Sequence, residues 1–155
     1  MPDAQLITRA LFAKVRSQAE ASPRRRMNCN FHASMEDNPH RFLNVLLRGT
    51  YVCPHRHLNP PKAESWVLLE GEVLLLTFDD QGAITAKYHL SAGGETCGID
   101  VAPGIWHTVC VLTDCAVVYE VKPGPWDPAT DKEFAQWAPR EGDPEAPACL
   151  ARWLS

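Results

Sequence analysis

The stretch Gly49-Thr-Tyr-Val-Cys-Pro-His-Arg-His57 contains two histidines separated by a single residue. Side chains two positions apart in an extended strand point to the same face of a sheet, so both imidazoles can reach one ion. Glu64 follows on the next strand-like segment, and a further histidine ends the later stretch Pro103-Gly-Ile-Trp-His107. Three imidazoles and one carboxylate suit a divalent transition metal. The sequence therefore predicts one metal site with the ligands His55, His57, Glu64 and His107.

The spacing of these residues resembles the two sequence motifs of the cupin superfamily. The positions of the first motif are occupied by Gly49, His55, His57, Glu64 and Gly71. The segment between the second histidine and the glutamate is longer than in the motif, and Pro60-Pro61 indicates an enlarged loop there. In the second motif a spacer is missing after Pro103, and Val111 stands where the motif has Asn. That Asn is not a ligand, so the resemblance still implies that His107 binds the metal.

Several longer stretches resemble the WbuC-like cupin metalloproteins, and the similarity runs from Asn28 to Trp137. The matching stretches are 28–32, 41–44, 49–57, 106–109, 120–125 and 134–137. The resemblance implies an all-β fold, the cupin double-stranded β-helix or jelly-roll barrel, with one metal per chain. It also implies an association with bacterial surface-polysaccharide gene sets, but it does not supply a reaction. We predict an N-terminal helical extension (1–27), a cupin barrel domain (28–137) and an irregular C-terminal tail (138–155).

Length and composition are those of one globular domain. The chain has 155 residues, of which 45% are hydrophobic and 22% charged, and a formal charge of −4. This charge argues against a general nucleic-acid binder. The basic run 24–26 is interpreted as a solvated loop or a set of structural salt bridges, with anion contact as the alternative. No apolar run approaches the ~18–20 residues that cross a bilayer, so we expect no membrane partner.

Six cysteines are present, at positions 29, 53, 97, 110, 115 and 149. The N-terminal segment carries Asp3 and Arg9 and shows no secretory signal. The cysteines have neither the density of a disulfide scaffold nor a Cys-x-x-Cys pair. We therefore expect a cytoplasmic protein with reduced thiols.

The coarse pattern predicts one amphipathic helix followed by strands. Apolar residues at helical spacing predict a helix from Ala4 to Glu20, capped by Asp3 and ended by Ser22-Pro23, which would cover an end or edge of the barrel. Strands are predicted at 73–78, 84–90, 106–112 and 116–121. Residues 141–147 indicate a surface loop, and 149–153 a last short turn.

Further residues are candidates for the pocket around the metal. If the first-motif strand is regular, Tyr51 and Cys53 share the face of the two histidines and are either core residues or pocket residues. Asn28, Asn30 and His32 also alternate, and this polar stripe is either solvated or lines the pocket mouth. Trp106 is expected to pack outside the barrel and His89 to lie on the surface, while Glu120 either faces water or is paired inside.

The ligand set suits Zn, Fe, Mn, Ni or Co and does not choose among them. We favour an open site in a metal-dependent enzyme that acts on a small polar molecule, such as a sugar or sugar nucleotide, with the metal as a Lewis acid. An iron-dependent dioxygenase is a second possibility. A non-catalytic metal-dependent binding module or sensor is the third, so enzymatic activity is left open. We expect a small-molecule ligand, no nucleic-acid partner and a homodimer, because cupin barrels commonly pair.

Overall fold

Two helices and ten strands make up the part of the chain that the computed structural model describes, residues 3–155. In chain order they are α1 (Arg9–Ala21), β1 (Arg26–Asn30), β2 (His40–Leu47), β3 (His55–Arg56), β4 (Glu64–Glu70), β5 (Glu72–Phe78), β6 (Ile84–Ser91), β7 (Gly98–Val101), β8 (Trp106–Val111), β9 (Cys115–Lys122), β10 (Glu133–Phe134) and α2 (Ala146–Leu154). The four strands predicted between 73 and 121 are confirmed to within one residue at each end.

The strands form two antiparallel sheets of five strands each. The front sheet has the order β1-β2-β9-β4-β7, and the back sheet has the order β10-β3-β8-β5-β6. The pairs β2–β9, β3–β8, β4–β7 and β5–β6 are nested within one another along the chain. This nesting is the jelly-roll arrangement, and it confirms the predicted fold class.

The turn between β4 and β5 explains one glycine of the first motif. Gly71 has a φ of +77°, which side chains of L-residues rarely allow, and a Cβ there would lie 2.2 Å from the backbone oxygen of Cys115. Only glycine fits this turn without displacing the neighbouring strand.

The space between the two sheets is apolar at one end of the barrel. Side chains of both sheets meet there, among them Leu46, Leu68, Leu75, Val109 and Val118. Burial of this surface at roughly 25 cal/mol per Å² is the main source of stability of such a core. Because the outer faces of the sheets are also covered, several strands are apolar on both faces and give unbroken runs in the sequence.

Helix α1 covers the outer face of the front sheet. Phe12, Val15 and Ala19 pack there against Leu43 and Val117. The predicted start of this helix is wrong: residues 4–8 are not helical, and Thr8, not Asp3, is the cap. The Thr8 side chain accepts a hydrogen bond from the backbone N–H of Leu11 at 3.1 Å, which satisfies one of the free donors of the first turn. The predicted end at Ser22 is confirmed.

Helix α2 covers the outer face of the back sheet. Trp153 stacks on Tyr51 with 5.6 Å between ring centroids, and Leu150 and Cys149 lie in the same cluster as Trp106. Trp106 therefore packs outside the barrel, as predicted. The tail predicted as irregular contains this helix, whose inward residues 146, 149, 150 and 153 recur at helical spacing.

Two further findings concern the chain as a whole. None of the helices within residues 3–155 combines the length and apolar character needed to cross a membrane. All six cysteines carry free thiols.

Candidate metal centre

The four predicted ligands meet inside the barrel, at the end opposite the apolar cluster. His55 on β3 lies directly across from His107 on β8, while Glu64 begins β4 in the other sheet and His57 follows β3. One ligand atom from each side chain lies within 4.8 Å of the others, and all four residues are buried. A group of this composition and size could hold one metal ion.

Hydrogen bonds to the backbone orient all three imidazoles. The Nδ1–H of His55 donates to the carbonyl of Cys53 at 2.9 Å, and that of His107 donates to the carbonyl of Ile105 at 2.8 Å. The Nδ1–H of His57 donates to the carbonyl of Asp131. Metal-binding histidines are held in this way, because a donor at one nitrogen leaves a lone pair on the other. Each Nε2 atom is thus prepared to act as a ligand.

The geometry around Glu64 fits an ion better than it fits hydrogen bonds alone. The Glu64 carboxylate lies 2.9 Å from Nε2 of His57 and 3.1 Å from Nε2 of His107. The Nε2 atom of His57 is buried and has no partner in hydrogen-bonding geometry among the described residues. Nε2 of His107 is within hydrogen-bonding geometry of Glu64, whereas at His57 lone pairs converge without a hydrogen bond, which is the donor arrangement of a metal site.

Burial and mutual charge perturb the ionisation of these ligands. Burial, aided by nearby His107, lowers the pKa of His55 well below its usual value. Burial opposes ionisation of Glu64, but the close contacts of its carboxylate with His107 and His57 outweigh it and hold the pKa of Glu64 well below its usual range. Burial likewise opposes protonation of His107, yet Glu64 raises the pKa of His107 above its usual value. Since a histidine must be deprotonated to bind metal, a cation would compete with a proton at His107.

A second set of polar residues lies behind the ligands. The Lys122 ammonium is 3.5 Å from Glu64 Oε1 and 3.1 Å from Asp131 Oδ1. Asp131 is the residue whose carbonyl orients His57. Lys122 therefore connects the ligand carboxylate with the segment that supports another ligand.

Glu120 points into the barrel, which settles the two alternatives left open by its sequence context. Its carboxylate is buried and accepts a hydrogen bond from Asn44 Nδ2 at 2.8 Å. Burial and the negative charge of Glu64 raise the pKa of Glu120 to about 7. Near neutral pH this carboxyl group can therefore either accept or donate a proton.

The ligand cluster faces a cavity of about 580 Å³ between the two sheets. Asn28, Asn30 and His32 line this cavity together with His55, Glu64 and His107. The cavity is also lined by three apolar side chains that are partly exposed at the surface: Met35, Trp126 and Phe134. The cavity therefore has both polar and apolar side chains on its walls beside the ligand cluster.

Of the two alternatives for Tyr51 and Cys53, the core position is correct and the pocket position is wrong. Both lie in the cluster under α2, where the Tyr51 hydroxyl donates to the carbonyl of Pro139 at 2.7 Å. The prediction assumed a regular strand from residue 51, but residues 51–54 have no strand structure and β3 begins at His55. Val52 lines the cavity instead.

Several residues of the cavity are missing from the sequence-based candidates. They are Asn44, Lys122, Asp131, Lys132 and His40, which stacks on His32 with 4.1 Å between ring centroids. One signal could have identified Lys122, because Val118, Glu120 and Lys122 alternate along β9 and Val118 is a core residue. Asp131 and Lys132 lie in an irregular loop and carry no such signal.

The two outer arginines of the basic run 24–26 form structural ion pairs. Arg24 lies 2.9 Å and Arg26 2.7 Å from Glu141 Oε1. Glu141 thus anchors the segment before α2 to the start of β1. His89, expected at the surface, is exposed and hydrogen-bonded to Glu72.

Solved structures with this fold include two bacterial proteins. CapF from Staphylococcus aureus, described as a capsular polysaccharide assembling protein, superposes with a TM-score of 0.58 at 20% identity, over 69% of this chain and 31% of the CapF chain. KdgF from Halomonas sp. superposes with a TM-score of 0.52 at 14% identity, over 70% of this chain and 84% of that chain. The chain thus spans less than a third of the length of CapF. Identities this low establish a shared fold and nothing further.

The nested two-sheet barrel with this histidine and glutamate cluster is a cupin barrel, with a ligand set that could bind a metal. Within that class the chain belongs to the family described as a domain of unknown function, DUF6016, whose model matches residues 7–90, more than half of the chain. No curated protein sequence matches. The narrower resemblance to WbuC-like proteins stays a prediction.

Proposed function

We propose that this protein is a metal-dependent cupin enzyme that acts on a small polar molecule. The observation that carries this proposal is the position of the ligand cluster, which faces an open cavity instead of being enclosed by protein. A structural metal site is usually closed by its ligands, whereas a catalytic site keeps a position for water or substrate. The cavity supplies the room for such a ligand.

A bound divalent ion would supply Lewis-acid polarisation of a substrate carbonyl or hydroxyl group. His55, His57, Glu64 and His107 would hold it. Glu120 then serves as the proton-transferring group, because it lies in the same cavity and is divided between its two protonation states near neutral pH. Asn44 donates a hydrogen bond to one carboxylate oxygen of Glu120, and the Glu120 side chain lines the cavity, where a substrate proton can be exchanged.

For the substrate we propose a sugar or a sugar nucleotide. The support comes from the WbuC-like resemblance and from the fold shared with CapF, which is itself described as assembling capsular polysaccharide. A cavity of about 580 Å³ lies within the range of roughly 300–1,000 Å³ found for small-molecule sites. A link to surface polysaccharide synthesis is therefore part of the proposal.

Elemental analysis of the purified protein tests the metal site. Protein prepared without a metal-affinity step should contain about one transition-metal ion per chain, and His55→Ala and His107→Ala should lose most of it. His89→Ala is the matched control, because this histidine is exposed and lies outside the cavity. Full metal content in both ligand variants would refute the assignment.

Turnover tests the enzymatic part. The metal-loaded protein is screened against sugars and sugar nucleotides, and Glu120→Gln is compared with the wild type on any substrate found. We expect turnover to fall by about 10²–10⁴-fold with metal content unchanged, because Gln cannot transfer the proton. Binding without turnover of any substrate would instead identify a binding module.

A further inference from the structure

One lysine of the cavity wall has no partner within the protein. Lys132 is half-buried and lines the cavity, and no hydrogen bond or ion pair engages its ammonium group within residues 3–155. The other lysine of the cavity, Lys122, is paired with Asp131 at 3.1 Å and lies 3.5 Å from Glu64. Cationic side chains in enclosed sites are normally paired, because removal of a charge from water is costly.

The acidic side chains of the cavity have partners other than Lys132. Glu64 belongs to the ligand cluster, Asp131 pairs with Lys122, and Glu120 is bonded to Asn44. At the edge of the cavity two arginines, Arg24 and Arg26, share the single carboxylate of Glu141. With a divalent ion in place, the cavity would carry more positive than negative charge.

A second polar group of the cavity also lacks a partner. The Nδ1 atom of His32 lies 3.1 Å from both the backbone nitrogen and the carbonyl oxygen of Arg41, and either tautomer of the ring forms a hydrogen bond there. The other ring nitrogen of His32 is Nε2. This atom is buried without a hydrogen-bond partner among the described residues, and His32 is only 7% exposed. A buried ring nitrogen left in this state calls for a hydrogen-bonding group of a bound molecule.

We infer that the cavity binds an organic anion, whose carboxylate or phosphate group pairs with Lys132 and whose further polar groups form a hydrogen bond with Nε2 of His32. The inference rests on the proposed function and narrows its substrate class from polar molecules to anionic ones. An ammonium–anion pair in a half-buried site adds charge-assisted hydrogen bonds that a neutral molecule of the same shape does not make.

Three matched probes test the inference. Glycerate, glycerol 3-phosphate and glycerol share a three-carbon chain with adjacent hydroxyl groups and differ in the charged group. Each is titrated by calorimetry into cobalt-loaded protein in a buffer free of phosphate and carboxylate. We expect at least one anion to bind about tenfold or more tightly than glycerol. The anion that binds more tightly shows whether the site is built for carboxylate or for phosphate.

Substitutions at Lys132 test whether this residue causes the preference for an anion over glycerol. Lys132→Met should weaken binding of the preferred anion about tenfold, while Lys132→Arg should retain most of it. Lys14→Met is the control, since Lys14 is exposed on α1. Equal affinity for glycerol and both anions would overturn the inference, as would unchanged anion binding by Lys132→Met.

The same titrations on metal-free protein separate the two proposals. Normal cobalt uptake without any effect of Lys132 on anion binding overturns the anion inference and leaves the metal-dependent function standing. Failure to take up cobalt, with anion binding that still depends on Lys132, overturns the metal-dependent function and leaves the anion site standing. Melting curves of each variant confirm that the protein remains folded.

Discussion

Replacement of Lys122 by Met should destabilise the protein and yet tighten its hold on metal. The Lys122 ammonium lies 3.5 Å from Glu64 and 3.1 Å from Asp131, and only 8% of its side chain is exposed. Two unit charges about 4 Å apart interact by about 4 kcal/mol at an effective dielectric constant of 20. Part of this gain is offset by the burial of the ammonium group. We therefore expect the metal-free variant to lose about 3 kcal/mol of unfolding free energy.

In the metal-loaded protein, Lys122→Met should lose less unfolding free energy than in the metal-free protein. A divalent ion at Glu64 takes over the neutralisation of that carboxylate, so that only Asp131 loses its partner. If the loss is about 1.4 kcal/mol smaller in the loaded form, metal affinity rises about tenfold. Lys122 is in this respect a competitor of the metal for the same carboxylate.

Urea unfolding of the metal-free and loaded forms gives both stabilities, and a chelator competition gives the affinity directly. Lys122→Arg is the control, since it keeps the charge. Weaker metal binding by Lys122→Met, or an equal loss of stability in both forms, would refute the electrostatic reasoning and indicate that Lys122 supports the ligand geometry instead.

Three other perturbations probe the rest of the structure. Trp153→Ala should lower the free energy of unfolding, measured with urea, by about 3 kcal/mol, because Trp153 stacks on Tyr51 and is 8% exposed. Trp126→Ala should lower it by less than about 1 kcal/mol, because Trp126 is partly exposed. Equal losses in the two variants would contradict the placement of α2. Burial opposes ionisation of Glu141, but its hydrogen bonds with Arg24 and Arg26 outweigh burial and lower the pKa of Glu141. Ionised Glu141 therefore stabilises the folded protein above the pKa that Glu141 has in the unfolded chain. This stabilisation is lost as the pH falls through the lower pKa that Glu141 has in the folded protein. Glu141→Gln should accordingly lose about 1 kcal/mol at pH 7 and little at pH 3, and a difference that does not change with pH would refute this. Removal of metal should lower the melting temperature without unfolding the domain, because the apolar core is independent of the site; circular dichroism of the chelated protein showing an unfolded chain would assign the metal a structural role.

The sequence predicted the cupin barrel through its resemblance to the cupin motifs. It predicted the four residues that meet in the barrel because ligand-type side chains are rare in apolar strands and their spacing is distinctive. It did not decide between core and pocket for Tyr51 and Cys53, since the alternation of side chains holds only within a strand and no strand covers residues 51–54. A short helix with Pro147 in its first turn was missed because proline there favours a helix start but also resembles a loop.

The cavity residues beyond the ligands depend on long-range placement. Lys122 reaches Glu64 because β9 pairs with β4, and Asp131 reaches His57 from a loop that follows β9. No local pattern encodes such contacts between separate segments. The unpaired state of Lys132 is likewise a property of the assembled cavity, because it depends on which acidic groups have already found partners.

The ligands come from both sheets, since His55 and His107 belong to the back sheet and Glu64 to the front sheet. An ion bound by these ligands would connect the front and back sheets at the end of the barrel that contains the cavity and not the apolar core. Opening motions of the barrel should then be suppressed by metal at that end only. In hydrogen exchange, the amides of β3, β4 and β8 should slow when metal is added, while those beneath α1 exchange as before.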